Sequence, residues 1–267
     1  MTTTVYEAAH EALMADDPQA KQAAVSLLAQ HWADGALLLD EDDIDAAVSI
    51  ADPGRPVRPP LVHPRALKPR KLHSPQGHAA FIHALAHIEF NAINLALDAV
   101  YRFRGLPADF YADWISVAKE EAYHFRLLAE HLQSLGFCYG DFPAHSGLWD
   151  MAQRTDADLL LRMALVPRVF EARGLDVTPP MIERLKQHGD DCGAEILGVI
   201  LHDEVGHVAI GNRWYHWACK KRGVDPAETF VSLIREYLPG RVKGPFHVSA
   251  RLEAGFTEQE LKQLENL

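Results

Sequence analysis

Two short stretches of the sequence place glutamate and histidine at a spacing that suits metal binding. Glu121 and His124 lie three residues apart, and Glu204 and His207 repeat that spacing in an apolar run further along the chain. Residues three apart share one face of a helix, so each pair could bind a metal through a carboxylate and an imidazole. Two such pairs in one chain predict a two-metal carboxylate centre.

Each pair follows a helical stretch that carries one glutamate on its apolar face. Glu89 precedes Glu121 by 32 residues, and Glu171 precedes Glu204 by 33. A buried carboxylate is costly unless it is paired or binds a metal. This tandem repeat of a helical hairpin predicts six inward ligands, and its four glutamates are also the predicted catalytic residues. The predicted ligands are Glu89, Glu121, His124, Glu171, Glu204 and His207.

Other glutamates and histidines do not fit the pattern. Glu7 and His10 also form Glu-x-x-His, but no inward glutamate precedes them, and one such match is expected by chance in a chain rich in both residues. Helical phase turns several other polar residues away from the predicted metal face. They are His83, His87, Asp98, Glu195 and His202.

Four carboxylates and two imidazoles suit iron or manganese better than zinc. We expect two iron ions, with manganese or a mixed manganese–iron pair as the alternatives. The metal-free alternative, in which buried Glu and His pair with one another, is disfavoured because no lysine matches them.

Helical periodicity predicts an all-α fold and a single domain over residues 1–267. Residues 1–75 comprise N-terminal helices, including a helical stretch over 5–38, and a proline-rich strap. Residues 76–217 form a four-helix bundle, and residues 218–267 form a C-terminal helical brace. The predicted bundle helices cover residues 76–103, 108–135 and 157–174, and a fourth region that starts at 181–188 and continues over 191–222. Residues 137–156 are the long crossover.

Several expectations depend on single residues in the second half of the bundle. Gly174 is expected to end the third helix, Pro179 belongs to the start of the fourth region, and Pro167 should kink the third helix before Glu171. Arg168 lies about 60° off the Glu171 face, so it could be a second-shell or substrate-facing group, or a salt-bridge partner. Gly211, on the Glu204 face, could leave room for a substrate or allow close helix packing.

Residues 53–71 are rich in proline and in basic side chains, which excludes an α-helix. One interpretation is a strap across the bundle whose charges pair with the acidic residues 40–46. The other is a lip that binds anions or nucleic acid. The six basic residues are Arg55, Arg58, Arg65, Lys68, Arg70 and Lys71.

Composition narrows the class of protein. Hydrophobic residues make up 48% of the 267 residues, enough for a large core, and the net charge of −11 argues against nucleic acid as a bulk partner. The sequence predicts neither a signal peptide nor a membrane span. Three dispersed cysteines indicate a reducing compartment and exclude a cysteine-ligated zinc or iron site built by this chain. We therefore expect a cytoplasmic protein.

The pattern of Glu89, Glu121-x-x-His124, Glu171 and Glu204-x-x-His207 resembles the ferritin-like di-iron carboxylate superfamily. Four segments are also similar to an uncharacterised bacterial branch of it, the domain-of-unknown-function family 455, and this likeness spans most of the chain. That branch more distantly resembles the tRNA hydroxylase that oxidises methylthio-isopentenyl-adenosine. The four segments are PGRPVRPPLVHP, EARGLDVTPP, DEVGHVAIGNRW and KGPFHVSARLEAGF.

The resemblance implies a ferritin-like bundle in which Asp203 orients His124 and Glu120 orients His207. Each carboxylate would accept the second N–H of a ligating imidazole, a contact that such imidazoles commonly make. It implies an O₂-activating oxidase or hydroxylase that acts on a small molecule or a modified nucleoside and draws electrons from an external donor. The alternatives are iron handling as a ferroxidase or peroxidase, and tRNA-directed hydroxylation. We expect a monomer or dimer, because the terminal extensions would obstruct a ferritin-type cage.

Overall fold

The structure, a computed structural model, describes residues 3–40, 47–67 and 72–267. Regular secondary structure in these ranges is helical, and strand-like pairing is limited to two isolated bridges, Thr4 with Leu38 and Leu61 with Ala144. The predicted all-α class is therefore confirmed. The chain divides into two compact units, Met1–Gln153 and Arg154–Leu267, and each is described by itself.

The first unit is built on a long helical hairpin. Its two helices, α3 and α4, pack along each other, while α1 packs on α3 and α2 packs on α4. Ser74 caps the hairpin's first helix by accepting a hydrogen bond from the Gly77 amide. The helices of this unit are α1 (Val5–Met14), α2 (Pro18–Ala33), α3 (Pro75–Arg102), α4 (Ala108–Ser134) and α5 (Gly147–Arg154).

The helical stretch predicted over residues 5–38 consists of two helices that end at Ala33, because the chain is extended at Ala15 and Asp17 then caps a second helix that starts at Pro18. One expectation for the first unit was wrong. Asp98 does not point outward: it is buried and accepts a bidentate hydrogen bond from Arg102. Every residue of α3 from Glu89 to Arg102 is buried, because α1 as well as α4 covers this helix.

The described part of the proline-rich segment lies along the first unit as an extended strap. It is tied at one end by the Gly54 amide, which donates to the Leu13 carbonyl, and further along by pairing of Leu61 with Ala144. The regular secondary structure in the described part of this strap is a single 3₁₀ turn at Pro64–Ala66. The acidic residues 41–46 and the basic residues 68–71 lie outside the described ranges, so the predicted charge pairing stays a prediction.

The α3 helix is long and apolar enough to cross a membrane by length and composition alone. In the structure, 72% of its most apolar window is buried inside the protein. A helix in the core of a folded unit is typically buried to this extent.

The second unit contains another pair of long helical elements. The first element joins α6 to α7 through a π-helix at Val166–Glu171, and it packs along α8. The remaining helices are short and follow α8 in the chain. The α-helices of this unit are α6 (Leu159–Leu165), α7 (Ala172–Gln187), α8 (Asp191–Arg222), α9 (Pro226–Tyr237), α10 (Val248–Glu253) and α11 (Glu258–Glu265).

The third predicted helix does not end at Gly174. It continues through Gly174, Pro179 and Pro180 to Gln187, and the glycine that follows the end of the helix is Gly189, whose φ is 77°. Gly174 has no positive φ, so it does not adopt the left-handed conformation that ends helices. The two prolines each remove a helical hydrogen bond, and burial of the α7 face against α8 outweighs that loss.

Pro167 lies in the π-helix, where the regular α-helical turn is interrupted. The kink expected at this proline stays a prediction. Gly211 on α8 lies directly against the Pro167 ring, and a Cβ at Gly211 would overlap that ring. Close helix packing, rather than room for a substrate, therefore accounts for Gly211.

Candidate metal centre

The first unit brings three of the predicted ligands together. Glu89 on α3 and Glu121 and His124 on α4 each offer a ligand atom, and these atoms all lie within 4.8 Å of one another. His124 Nδ1 is 3.3 Å from Glu89 Oε2 and 3.5 Å from Glu121 Oε2. All three side chains are buried. We call these three residues the first half-site.

Electrostatics in the first half-site favour a cation. Burial raises the pKa of the Glu89 carboxyl well above its usual range, and the charge of Glu121 raises it further. Burial lowers the pKa of His124, but hydrogen bonds and charges from Glu121 and Glu89 outweigh burial and raise it to about 11. Without a metal, the cluster therefore retains protons at neutral pH. A divalent cation would neutralise the same carboxylates, so protons and metal compete for this site.

The second unit carries the other Glu-x-x-His pair on α8. His207 Nδ1 is 3.3 Å from Glu204 Oε2, and both side chains are buried. Gly174 of α7 lies beside them: a Cβ placed there would be 3.6 Å from Glu204 Cγ. Glu171 is the last residue of the π-helix, three residues before Gly174, and it is more exposed than the other five predicted ligands. We call Glu171, Glu204 and His207 the second half-site.

The donor set fits a hard or borderline divalent metal. The first half-site brings together two carboxylates and one imidazole, and in both units the histidine Nδ1 faces the glutamate three residues earlier. Glu171 would supply the second carboxylate of the second half-site. Carboxylate-rich sites with one imidazole suit iron and manganese, whereas structural zinc sites are richer in thiolates and imidazoles. The described residues therefore contain buried carboxylate and imidazole groups that could hold metal ions.

The structure gives other roles to the chance Glu-x-x-His copy. Glu7 is exposed, and its carboxylate accepts a hydrogen bond from the Thr4 amide to close the capping box of α1. His10 packs against the Tyr101 ring at 4.8 Å between centroids. His202 is exposed, as its helical phase predicts. Neither half-site involves these residues.

The two carboxylates that are predicted to orient the histidines lie at the borders of buried surfaces. Glu120 is half-buried on α4, and Asp203 is half-buried on α8. Each directly precedes a buried predicted ligand, Glu121 or Glu204. Their roles toward the histidines stay predictions.

Arg168 is a structural salt-bridge partner, which is the alternative that the sequence left open. It is fully buried and donates from Nη2 to Glu260 of the capping box of α11. Its guanidinium carbon lies 4.1 Å from the centroid of the Tyr215 ring, 4.0 Å from that of Phe230 and 4.8 Å from that of Phe256. The π-helix explains the difference from the predicted phase, since its wider turn separates successive side chains by less than 100°.

Sequence reasoning missed a histidine network on the other side of α3. His87 Nδ1 lies 2.8 Å from the Tyr139 hydroxyl, and His83 Nε2 accepts a hydrogen bond from the Gly140 amide at 3.0 Å. Both histidines are buried, and burial lowers the pKa of each to about 4. They fix the segment after α4 to α3. Neither spacing nor periodicity signals this network, because its partners come from an irregular segment.

The chain belongs to a family described as a protein of unknown function (DUF455), whose model matches residues 14–262. It is 51% identical over 213 residues to an uncharacterized protein of Haemophilus influenzae, and this match covers 77% of the chain and 74% of the relative. No solved structure matches the chain. Family membership is therefore established, and the function has to be inferred from the side chains.

Proposed function

We propose that this member of the DUF455 family is a di-metal carboxylate protein of the ferritin-like superfamily, with di-iron as its working form. Each half-site would contribute two glutamates and one histidine to the same pair of metals. A manganese or mixed manganese–iron pair has the same ligand requirements. That both half-sites serve one centre rests on the tandem repeat in the sequence.

One observation carries the proposal: each unit independently buries a Glu-x-x-His pair with the same side-chain arrangement. The Nδ1-to-carboxylate distances are 3.5 Å for His124 with Glu121 and 3.3 Å for His207 with Glu204. Burying two carboxylates together, as Glu89 and Glu121 are, costs several kcal/mol unless a cation compensates. A bound metal supplies that compensation.

The reaction that fits best is O₂-dependent oxidation or hydroxylation of an unidentified substrate, with electrons from an external donor. When bound, the metals supply electrons and Lewis acidity. The chain's own part is to hold the carboxylates in place and to exclude water. Ile93, Phe125 and Val208 are all buried on the helices that carry the ligands, so the surroundings of each half-site are apolar.

Two further parts of the proposal concern supporting groups and location. Glu120 and Asp203 would orient the ligating imidazoles by accepting their second N–H. A cytoplasmic location fits the cysteines, Cys138, Cys192 and Cys219, all of which are free thiols.

Metal analysis tests the proposal directly. Protein purified without added metal, and anaerobic titration with Fe²⁺, should both give about two metal ions per chain. His124→Ala and His207→Ala should each lower the bound metal. His202→Ala, which removes an exposed histidine from the same helix as His207, and His10→Ala, in the chance copy, should leave it unchanged. Equal metal content in His207→Ala and His202→Ala would overturn the assignment.

Oxygen uptake separates the proposed activity from simple metal binding. The reduced di-iron protein should consume O₂ faster than the same concentration of free Fe²⁺, and His207→Ala should remove the excess rate. Continued uptake of iron beyond two ions per chain would instead indicate iron handling. An O₂ rate equal to that of free Fe²⁺ would exclude the oxidase assignment.

A further inference from the structure

The second unit contains a pocket of about 300 Å³ that lies apart from the side chains of its half-site. It is formed by the π-helix, the start of α7, α9, the loop that joins α9 to α10, α10 itself and α11. Its apolar wall includes Phe170, Phe230, Leu238 and Phe246. A volume of this size is at the lower end of the range for small-molecule sites.

Basic side chains line the same pocket. Arg168 and Arg251 are buried at its inner side, and each is neutralised by a carboxylate: Glu260 for Arg168 and Asp176 for Arg251. These two cations are structural. They leave the inner side of the pocket close to electrically neutral.

The outer side of the pocket keeps an excess of positive charge. Arg173, Arg241 and Lys243 line it, and all three are exposed. Arg173 makes a long contact of 3.4 Å with Asp176, which already pairs with Arg251. Arg173 Nη1 also donates to the Lys243 carbonyl at 3.2 Å. Within the described ranges, the ion pairs of the pocket lining are those of Arg168, Arg173 and Arg251.

This local excess of positive charge contrasts with the net charge of the whole chain, which is −11. One carboxylate partly offsets this positive charge, because Glu265 lines an adjoining recess that also includes Lys243. Arg173 and Arg241 do not line that recess. A cationic rim over an apolar wall, in an otherwise acidic protein, is a feature that attracts anions selectively.

We propose that this pocket binds a small organic anion, a carboxylate or phosphate group carried on an apolar, ring-sized body. The planar guanidinium groups of Arg173 and Arg241 suit either anion, because each can donate two parallel hydrogen bonds. The apolar wall takes the body, which inorganic phosphate lacks. The site goes beyond the proposed metal chemistry and does not depend on a bound metal.

Four probes, three of which share one ring system, test the two parts of the proposal. 1-Naphthyl phosphate and 1-naphthoate carry both anion and body, 1-naphthol carries the body alone, and inorganic phosphate carries the charge alone. Calorimetric titration of the full chain should show the two naphthyl anions binding about tenfold more tightly than either partial probe. The order of the phosphate and the carboxylate identifies which anion the pocket prefers. Equal affinities for 1-naphthol and the naphthyl anions would overturn the proposal.

A pair of charge-matched variants locates the binding. Arg241→Gln should weaken binding of the naphthyl anions about fivefold, the size expected for an exposed ionic contact. Arg235→Gln removes an exposed arginine from α9 that does not line the pocket, so it should leave the dissociation constant unchanged. Both positions are on the surface, so both variants should fold. Equal affinities in the two variants would refute this site, whatever the metal content of the protein.

Discussion

Replacing His83 with glutamine should remove a specific part of the protein's sensitivity to acid. His83 is buried on α3, and its Nε2 accepts a hydrogen bond from the Gly140 amide at 3.0 Å. An imidazole can accept through Nε2 only while that nitrogen is unprotonated. Its ring also stacks on Tyr139, with 5.2 Å between centroids. Protonation would therefore break a buried hydrogen bond and place a charge in an aromatic environment.

The magnitude follows from the shift in pKa. Burial lowers the pKa of His83 from 6.5 to about 4, although the Asp141 carboxylate acts in the opposite direction. Because the folded-state pKa is lower than the unfolded one, the neutral form is favoured in the folded state. The stabilisation is complete above pH 6.5 and is lost as the pH falls from 6.5 toward 4. Each pKa unit is worth 1.36 kcal/mol, so the loss at pH 4.5 is about 2.5 kcal/mol.

Urea denaturation at pH 7.5 and at pH 4.5 measures this loss. Glutamine can still accept the Gly140 hydrogen bond and does not titrate. The free energy of unfolding of the wild type should therefore fall by about 2.5 kcal/mol more than that of His83→Gln. Comparing the two proteins cancels the titration of all other groups. His202→Gln, at an exposed position, should behave as the wild type. Parallel pH dependence in wild type and His83→Gln would refute the reasoning.

Two further predictions concern packing and charge in the second unit. Gly211→Ala should lower the free energy of unfolding by about 1–3 kcal/mol, because the added Cβ would overlap Pro167. In the control Gly206→Ala the added Cβ meets no atom within 4 Å, so the free energy of unfolding should rise by about 1 kcal/mol. Equal effects of the two variants in chemical denaturation would contradict this account of Gly211. Glu260→Ala should lower the free energy of unfolding by about 3–5 kcal/mol, because it leaves the buried Arg168 charge unpaired. The control Glu258→Ala, at an exposed position, should change the midpoint of chemical denaturation little. An equally small change in Glu260→Ala would refute the role of the ion pair.

The long helices were predictable because their apolar periodicity extends over many turns. The predicted ends of α3 and α4 lie within one residue of those observed, and the fourth region ends at residue 222 as predicted. Its predicted start over 181–188 was wrong, because residues 181–187 belong to α7. The inward phases of Glu89, Glu121, Glu204 and their histidine partners follow from the same periodicity, and all of them are buried. Their joint use as metal ligands stays a prediction.

Periodicity did not reveal which helices are covered on more than one side. Counting residues around a helix assumes one buried face, and that assumption turned Asp98 outward and placed His83 well to one side of the buried face of α3. Both are buried, since α1 and the segment after α4 cover faces that α4 leaves open. Such coverage depends on contacts between residues far apart in the chain, as with the 57-residue separation between His83 and Gly140.

Local signals also misled where tertiary packing outweighed them. Gly174 and the Pro179-Pro180 pair would normally separate two helices, yet they lie within α7. The π-helix before them changed the phase of Arg168, which turned it toward α11. A proline marks a disturbance in the sequence, but the sequence does not show whether that disturbance becomes a kink or a wider turn.

The Arg168–Glu260 pair has a consequence for the order in which the protein can mature during synthesis. The two residues are 92 positions apart, so Arg168 is synthesised well before Glu260, the carboxylate that pairs with it. Until then, the core that includes Tyr215 and Phe230 contains a guanidinium without its counter-charge. The packing around Arg168 is therefore completed only once α11 has been synthesised and Glu260 can pair with the guanidinium.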